Sequence, residues 1–103
     1  MAYEVEFLDS AKRDLNRNLD WLLEKRGYQQ SQHFLNRVSD LTHLLGKQPQ
    51  LFPKSSAHLH LRKAIINHST LMFYEVSVRH KTVSIVAIRG AAEDWTNQPM
   101  PSD

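Results

Sequence analysis

Hydrophobic and polar residues alternate near the start of the chain and again in its second half. Near the start, apolar residues at positions 3, 5 and 7 alternate with Glu4 and Glu6, a period of two that places the apolar groups on one face of a strand. Later, apolar runs at 59–66, 71–76 and 83–89 are separated by residues suited to turns. The pattern predicts one short early strand and a later meander of three strands.

Between the early strand and the meander, apolar residues recur every three or four positions. The first such run extends from Leu8 to Leu23, and Asp9 or Ser10 is expected to cap its amino end through a side-chain hydrogen bond. Gly27 predicts the end of this helix, because two cations precede it and glycine accepts the left-handed conformation of a helix cap.

A second helical run follows this glycine. Its apolar stripe extends from Phe34 to Leu45 and is ended by Gly46, Pro49 and Pro53. Two long helices with so short a connection must lie antiparallel. Their apolar stripes are too wide to be buried against each other alone. The two helices are therefore expected to cover one face of the sheet, which predicts an α+β protein.

The phase of the second strand decides which side chains the sheet displays. Alternation places residues 59, 61 and 65 on one face and His60, Arg62 and Ala64 on the other. If the apolar set faces the helices, His60 and Arg62 are displayed together on the uncovered face.

Length and composition bound the class of protein. The 103 residues allow one small domain, expected at 1–95 with a flexible tail at 96–103. The sequence has no cysteine, which removes disulfides and thiolate chemistry and agrees with a reducing compartment. The amino-terminal residues do not resemble a signal peptide, and no apolar run approaches the roughly 20 residues that span a bilayer. The expected location is the cytoplasm.

Charge is distributed unevenly along a chain whose formal net charge is only +2. Residues 54–90 contain six basic side chains and one acidic side chain, whereas residues 1–53 contain seven of each. This basic segment predicts attraction to a polyanion or to an acidic protein segment. Lysine and arginine at strand edges and turns also prevent edge-to-edge aggregation, so part of the excess has this simpler explanation.

The candidate residues for binding a target or a partner protein come mainly from this basic segment. They are Arg62, Lys63, Arg79, Lys81, Arg89 and, beyond it, Trp95. Arg62 and Arg89 are the leading candidates for contact with nucleic acid or a partner protein, and His60 beside Arg62 is a candidate general base because imidazole titrates near neutrality. The alternative for the two arginines is a solvated strand end that pairs with a neighbouring acid.

The histidines allow one further alternative, a metal site. His58 and His60 are two residues apart, so on a strand both imidazoles would lie on one face, where His68 or His80 could join them. No carboxylate lies nearby in the sequence to complete such a site. The sequence therefore predicts no bound metal, and no motif implies a cofactor.

Several short motifs follow one another in a recognisable order. They are Tyr3-x-Val5-x-Phe7, Ala11-x-x-Asp14-Leu15, Gly27, Phe34, Pro49, Phe52-Pro53, Leu61-Arg62-Lys63, Phe73-Tyr74-Glu75-Val76 and Val83-x-Ile85-x-x-Ile88. With these motifs the chain resembles the RelE/ParE superfamily of bacterial toxins from type II toxin–antitoxin modules, over nearly its whole length. The resemblance implies a βααβββ fold, growth inhibition by the free toxin, a role in plasmid stabilization, and neutralisation by a cognate antitoxin that wraps the toxin.

The superfamily implies two alternative activities. RelE-like members cleave messenger RNA in the ribosome, which requires a base, an acid and cations aimed at the developing charge. Arg62 matches the family arginine of the second strand, and Arg89 falls near the arginine that ends the last strand. The family's ribonucleases commonly add basic or tyrosine side chains after that strand, whereas this chain has Glu93 and Asp94 there.

These carboxylates and the long helical hairpin favour the ParE-like alternative, a toxin that poisons DNA gyrase and is an inhibitor rather than an enzyme. The RelE-like endoribonuclease remains the second possibility, with Arg62, Arg89 and His60 as its catalytic residues. The third is an inactive domain of the same fold that binds a partner protein. The expected partners are a cognate antitoxin together with either gyrase or the ribosome and its messenger RNA, with no membrane.

Overall fold

Six elements form the fold in the predicted order. A computed structural model describes residues 2–91. Its elements are β1 (Glu4–Phe7), α1 (Asp9–Arg26), α2 (Tyr28–Lys47), β2 (Arg62–Asn67), β3 (Thr70–Ser77) and β4 (Thr82–Gly90). The α+β class and the βααβββ order are therefore confirmed. The predicted tail at 96–103 lies outside the described residues.

The four strands form one mainly antiparallel sheet in the order β1-β4-β3-β2. β2, β3 and β4 are the antiparallel meander that the sequence predicts. β1 pairs in parallel with β4, from Glu4 opposite Thr82 to Phe7 opposite Ile85. The first and last strands are therefore neighbours, and the start of α1 lies beside the end of β4.

Gly27 is the whole connection between the two helices. Its φ of 94° is a conformation that residues with a side chain rarely adopt, and its N–H donates to the Leu22 carbonyl at 2.9 Å. The second predicted stop, Gly46, lies inside α2 instead. A Cβ at Gly46 would lie 3.2 Å from the Tyr3 carbonyl oxygen, so this glycine allows the helix to pack closely on the chain entering β1.

The expected cap of α1 by Asp9 or Ser10 is wrong. Leu8 occupies the cap position, and no side chain bonds to the exposed amides there. The Ser10 hydroxyl instead donates to the Val86 carbonyl at 2.7 Å. The reason is that β4 continues past the end of β1, so a buried carbonyl of β4 would otherwise lack a partner on that side.

Each face of the sheet carries its own apolar cluster. The larger lies under the helical hairpin and joins residues of both helices to Ala64, Ile66, Met72, Tyr74, Val83, Ile85 and Ile88. The smaller lies on the opposite face and contains Leu61, Phe73, Val86 and Ala87, with Leu8 and Leu71 packed against it. The face without helices is therefore partly apolar.

The phase predicted for β2 is inverted. Ala64 and Ile66 face the helices, whereas Ile65 is 61% exposed and Leu61 is buried on the opposite face. Within β2 the alternation of Arg62 and Ala64 with Ile65 holds, but each set lies on the face expected for the other, and residues 59 and 60 precede the strand. Because both faces carry apolar clusters, hydrophobic periodicity alone does not show which set meets the helices. Neither helix in residues 2–91 has the length and apolarity of a membrane span.

Candidate functional site

Arg62 anchors the long connection between α2 and β2, which is called the strap here and comprises residues 48–61. Its Nη1 donates to the Phe52 carbonyl at 2.7 Å, and a longer contact reaches the Gln50 carbonyl at 3.5 Å. The strap also pairs with β2 through the backbone, since Lys63 N–H donates to the Pro53 carbonyl at 3.0 Å. A guanidinium has five N–H donors, so these two carbonyls leave others for an outside acceptor.

Tyr74 lies opposite Arg62 in the pairing of β2 with β3 and is fully buried. Burial raises the pKa of its phenol above the ordinary 10.0, while the Phe52 backbone and the Arg62 charge act in the opposite direction. The phenol is therefore neutral at physiological pH. Tyr74 and Phe73 are both buried core residues, on opposite faces of the sheet.

Arg89 is paired with a carboxylate from the first helix. Its Nε lies 3.6 Å from Asp14 Oδ2, and its side chain is only 17% exposed. The other carboxylate oxygen of Asp14 accepts a hydrogen bond from Arg17 Nη2 at 2.8 Å. Two guanidinium groups from distant parts of the chain thus share one buried carboxylate.

Asp14 also belongs to a row of bonds along the edge of β4. Beyond the end of β1, Leu8 N–H donates to the Ile85 carbonyl at 3.0 Å and Ser10 Oγ donates to the Val86 carbonyl. One helical turn later, Asp14 Oδ2 accepts from Ile88 N–H at 3.0 Å. Beyond the end of β1, the edge of β4 is therefore hydrogen-bonded first by the Leu8 backbone and then by the Ser10 and Asp14 side chains.

The structure does not bring Arg62 and Arg89 together. Arg62 lies opposite Tyr74 and Arg89 opposite Leu71, so their rows are three residues apart along β3, or roughly 10 Å at the spacing of a strand. Tyr74 faces the helices, whereas Leu71 packs on the opposite face. The two guanidinium groups therefore start from different faces of the sheet.

His60 is not displayed beside Arg62, contrary to the sequence prediction. It is exposed in the turn that precedes β2, where Leu61 N–H donates to the His58 carbonyl at 2.9 Å. The rings of His58 and His60 are 6.5 Å apart in an edge-to-face arrangement. No group of three histidine or acidic side chains within residues 2–91 is placed to hold a metal ion.

The remaining predicted binding residues are scattered. Arg79 and Lys81 are exposed in the turn between β3 and β4, where Lys81 has a φ of 53°. Lys63 is half-buried on β2. Trp95 lies outside the described residues. Their roles in binding a target or an antitoxin stay predictions.

The face opposite the helices carries the carboxylates of β1, as the alternation of Glu4 and Glu6 with apolar residues predicts, together with Glu75. Glu6, Ser84 and Glu75 form one row across β1, β4 and β3. Ser84 Oγ donates to Glu6 Oε1 at 2.9 Å. Glu4 is also exposed, two residues before Glu6 on the same strand. These carboxylates lie beside the exposed turn that contains Arg79 and Lys81, so this end of the face is not a uniformly basic surface.

Trp21 is exposed on α1. Its side chain is 52% exposed, and the guanidinium carbon of Arg26 lies 6.0 Å from its ring centroid.

Sequence reasoning missed Asp14 and Arg17 as parts of the site. One signal was available, because Asp14 lies three residues after Ala11 and so on the same side of a helix as a core residue. A carboxylate at such a position is buried and requires donors. Its donors could not be identified from the sequence, because two of them come from β4.

The fold and the sequence agree with one family of proteins. Residues 5–95 match the family described as ParE toxin of type II toxin-antitoxin system, parDE, and the chain belongs to this family. No curated protein shows significant sequence similarity to the chain.

Solved structures with the same fold include a toxin–antitoxin complex and a toxin–antitoxin system. The chromosomal ParDE toxin–antitoxin system of P. aeruginosa has a TM-score of 0.73 at 14% identity, covering 86% of this chain and 96% of that chain. The toxin–antitoxin complex RelBE2 of Mycobacterium tuberculosis has a TM-score of 0.63 at 19% identity, with 87% and 99% covered. YafQ of E. coli has a TM-score of 0.57 at 16% identity, with 87% and 94% covered. These similarities show the fold.

Proposed function

We propose that the chain is the toxin of a type II toxin–antitoxin module, that it inhibits growth by poisoning DNA gyrase, and that a cognate antitoxin neutralises it. The family match over residues 5–95 supports the toxin role. Two proteins of the same fold, RelBE2 and ParDE, are described as a toxin–antitoxin complex and a toxin–antitoxin system, which supports an antitoxin partner.

The separation of Arg62 and Arg89 is the observation that favours gyrase over messenger RNA as the target. Stabilising one phosphate during RNA cleavage requires cations that converge on it. Arg62 lies in the row of Tyr74, which faces the helices. Arg89 lies in the row of Leu71, which is on the opposite face. His60, the candidate base, lies in the strap and not on either row. Within residues 2–91 this arrangement suits binding to a protein surface better than catalysis on one phosphate.

The decisive experiment is expression of the chain alone in bacteria. We expect growth arrest with induction of the DNA damage response, and inhibition of supercoiling by purified gyrase. If the adjacent gene encodes the antitoxin, co-expression of its small protein product should restore growth. Arrest with ribosome-dependent cuts in messenger RNA would replace gyrase by the ribonuclease function. Normal growth at good yield would favour the inactive binding domain.

A matched pair of variants tests the contribution of Arg62. Arg62→Ala should relieve growth arrest if its remaining donors contact the target. Lys25→Ala removes an exposed cation at the other end of the molecule, where Lys25 lies 3.8 Å from Glu24, and should leave arrest unchanged. Circular dichroism of both purified variants is the control for folding. Unchanged killing by folded Arg62→Ala would remove Arg62 from the binding surface.

A further inference from the structure

The Asp14 carboxylate makes three contacts although it is nearly buried. Its side chain is 9% exposed, and it receives Arg17 Nη2 at 2.8 Å, Ile88 N–H at 3.0 Å and the ion pair with Arg89 Nε at 3.6 Å. The contacts with Ile88 and Arg89 join the first helix to the last strand, and the bond to Ile88 spans 74 positions of sequence. The end of β4, where Arg89 lies, is thus held from α1.

The backbone bond alone does not account for a charged residue at this position. A neutral oxygen would accept a hydrogen bond from Ile88 N–H, and one turn earlier a neutral side chain, the Ser10 hydroxyl, already bonds to this edge of β4 by donating to the Val86 carbonyl. Burying a carboxylate is much more costly than burying an amide unless cations compensate it. The negative charge therefore matters through its interactions with Arg89 and Arg17.

The two arginines differ in exposure. The Arg89 side chain is 17% exposed, whereas that of Arg17 is 66% exposed. Of the two guanidinium groups around this carboxylate, that of Arg17 is the one presented to the solvent. Arg89 is thus oriented within the fold, while Arg17 carries charge toward the solvent.

We propose that Asp14 is a positioning residue, whose carboxylate orients Arg89 at the end of β4 and, with Arg17, forms one basic contact site for an acidic surface on the target protein. This inference rests on the proposed function in so far as the target is gyrase. The positioning itself is independent of the target. Asp14 does not touch the target and acts through Arg89.

A spectroscopic test of the positioning uses Asp14→Asn, which removes the charge and keeps an oxygen that accepts from Ile88 N–H. The Nε–Hε signal of Arg89 in an ¹⁵N correlation spectrum should move toward that of exposed arginines and exchange faster with water. Asp9→Asn is the charge-matched control, because Asp9 is exposed on the same helix and lies 4.0 Å from Lys12. It should leave the Arg89 signal in place.

A second control separates positioning from stability. Ser10→Ala removes the neighbouring bond to β4 and should lower the unfolding midpoint without moving the Arg89 signal. An Arg89 signal that is unchanged in folded Asp14→Asn would overturn the proposal. If Asp14→Asn is too unstable to study, Arg89→Lys tests the same ion pair by changing the arginine instead of the acid. The Arg17 Nε–Hε signal should then change, because Arg17 and Arg89 contact the same carboxylate.

A double-mutant cycle tests the consequence for binding. Asp14→Asn and Arg89→Ala should each raise the toxin concentration for half-inhibition of gyrase by roughly tenfold, the value of about one charge-assisted contact. The combined loss in the double variant should be much smaller than the product of the two single losses, because Asp14 acts mainly through that arginine. Losses that multiply in the double variant would contradict the proposal. Wild-type protein that fails to inhibit gyrase would instead refute the proposed function, while the spectroscopic result on Asp14 would stand by itself.

Discussion

Arg62 and Arg89 belong to the same basic segment and lie near the ends of two strands, but the groups that hold them differ. Arg62 donates to a neutral backbone oxygen, the Phe52 carbonyl, at 2.7 Å. Arg89 lies 3.6 Å from the carboxylate of Asp14. A neutral acceptor directs a guanidinium without reducing its charge, whereas a carboxylate both directs and offsets it.

This difference changes the meaning of the charge counted along the sequence. Residues 54–90 have a surplus of basic side chains, while the first half of the chain is balanced. In the folded protein an acid of the first half, Asp14, lies against a base of the second half, Arg89. Glu6 and Glu75 share one row of the uncovered face. Charge surplus in a segment therefore does not describe the surface that the segment helps to form.

Removing Asp14 should produce the largest change in stability. Asp14→Ala leaves Ile88 N–H and the Arg89 guanidinium without the carboxylate, and we expect a loss of about 3 kcal/mol in the free energy of unfolding. Urea denaturation followed by circular dichroism measures this loss. The control Asp9→Ala affects an exposed acid and should change stability by no more than about 0.5 kcal/mol. Equal effects of the two substitutions would show that the buried ion pair contributes little.

Removing the Arg62 guanidinium should have a smaller and more local effect. Arg62→Ala deletes the bond to Phe52, a charge-assisted bond at a partly exposed site, so we expect a loss of about 1.5 kcal/mol. Hydrogen exchange should accelerate in the strap, residues 48–61, more than in α1. Arg62→Lys keeps one donor and should lose less. Uniform acceleration across the protein would contradict a local anchoring role.

The sequence was sufficient to predict the elements, because these depend on local spacing. Gly27 marks the break between the helices, and residues 67–69 and 79–81 mark the turns of the meander. The parallel pairing of β1 with β4 has no comparable local signal, since it joins residues almost eighty positions apart. The prediction of which face of β2 meets the helices was wrong for a related reason. Leu61 and Ala64 both find apolar surroundings, but on different faces of the sheet.

The candidate site was less predictable than the fold. Arg62 and Arg89 could be selected from the sequence as cations near strand ends. The groups that each arginine contacts could not be predicted. The Phe52 carbonyl belongs to an irregular segment, and backbone groups in such segments carry no sequence pattern. Asp14 meets Arg89 only because α1 packs beside β4. Contacts of this kind depend on tertiary packing.

The buried phenol beside Arg62 should make stability sensitive to alkaline pH. Burial raises the pKa of Tyr74 above its unfolded value of 10.0, so above that pH the unfolded state loses the proton first. Between the unfolded and folded pKa values the native state binds more protons, and the free energy of unfolding therefore falls as pH rises. The contribution is fully present below the unfolded pKa.

Tyr74→Phe removes this titration and keeps the ring. At neutral pH we expect a change within about 1 kcal/mol, since one buried hydroxyl is lost and most of the packing remains. Thermal melts between pH 8 and pH 11 should fall less steeply for the variant, in keeping with an unfolded pKa of 10.0 for the phenol. Tyr28→Phe is the control, because Tyr28 is 68% exposed and should leave the wild-type pH dependence unchanged. Parallel pH curves for wild type and Tyr74→Phe would exclude the phenol as the cause.

The smallest effect is expected for the exposed partner of Asp14. Arg17 forms a 2.8 Å ion pair with Asp14, but its side chain is 66% exposed, so Arg17→Ala should lower the free energy of unfolding by no more than about 0.5 kcal/mol. The loss should shrink further in high salt, which screens exposed pairs more than buried ones. Chemical denaturation at low and high ionic strength measures both quantities. A loss as large as that of Asp14→Ala would mean that Arg17, rather than Arg89 and Ile88, provides the main compensation for the buried carboxylate.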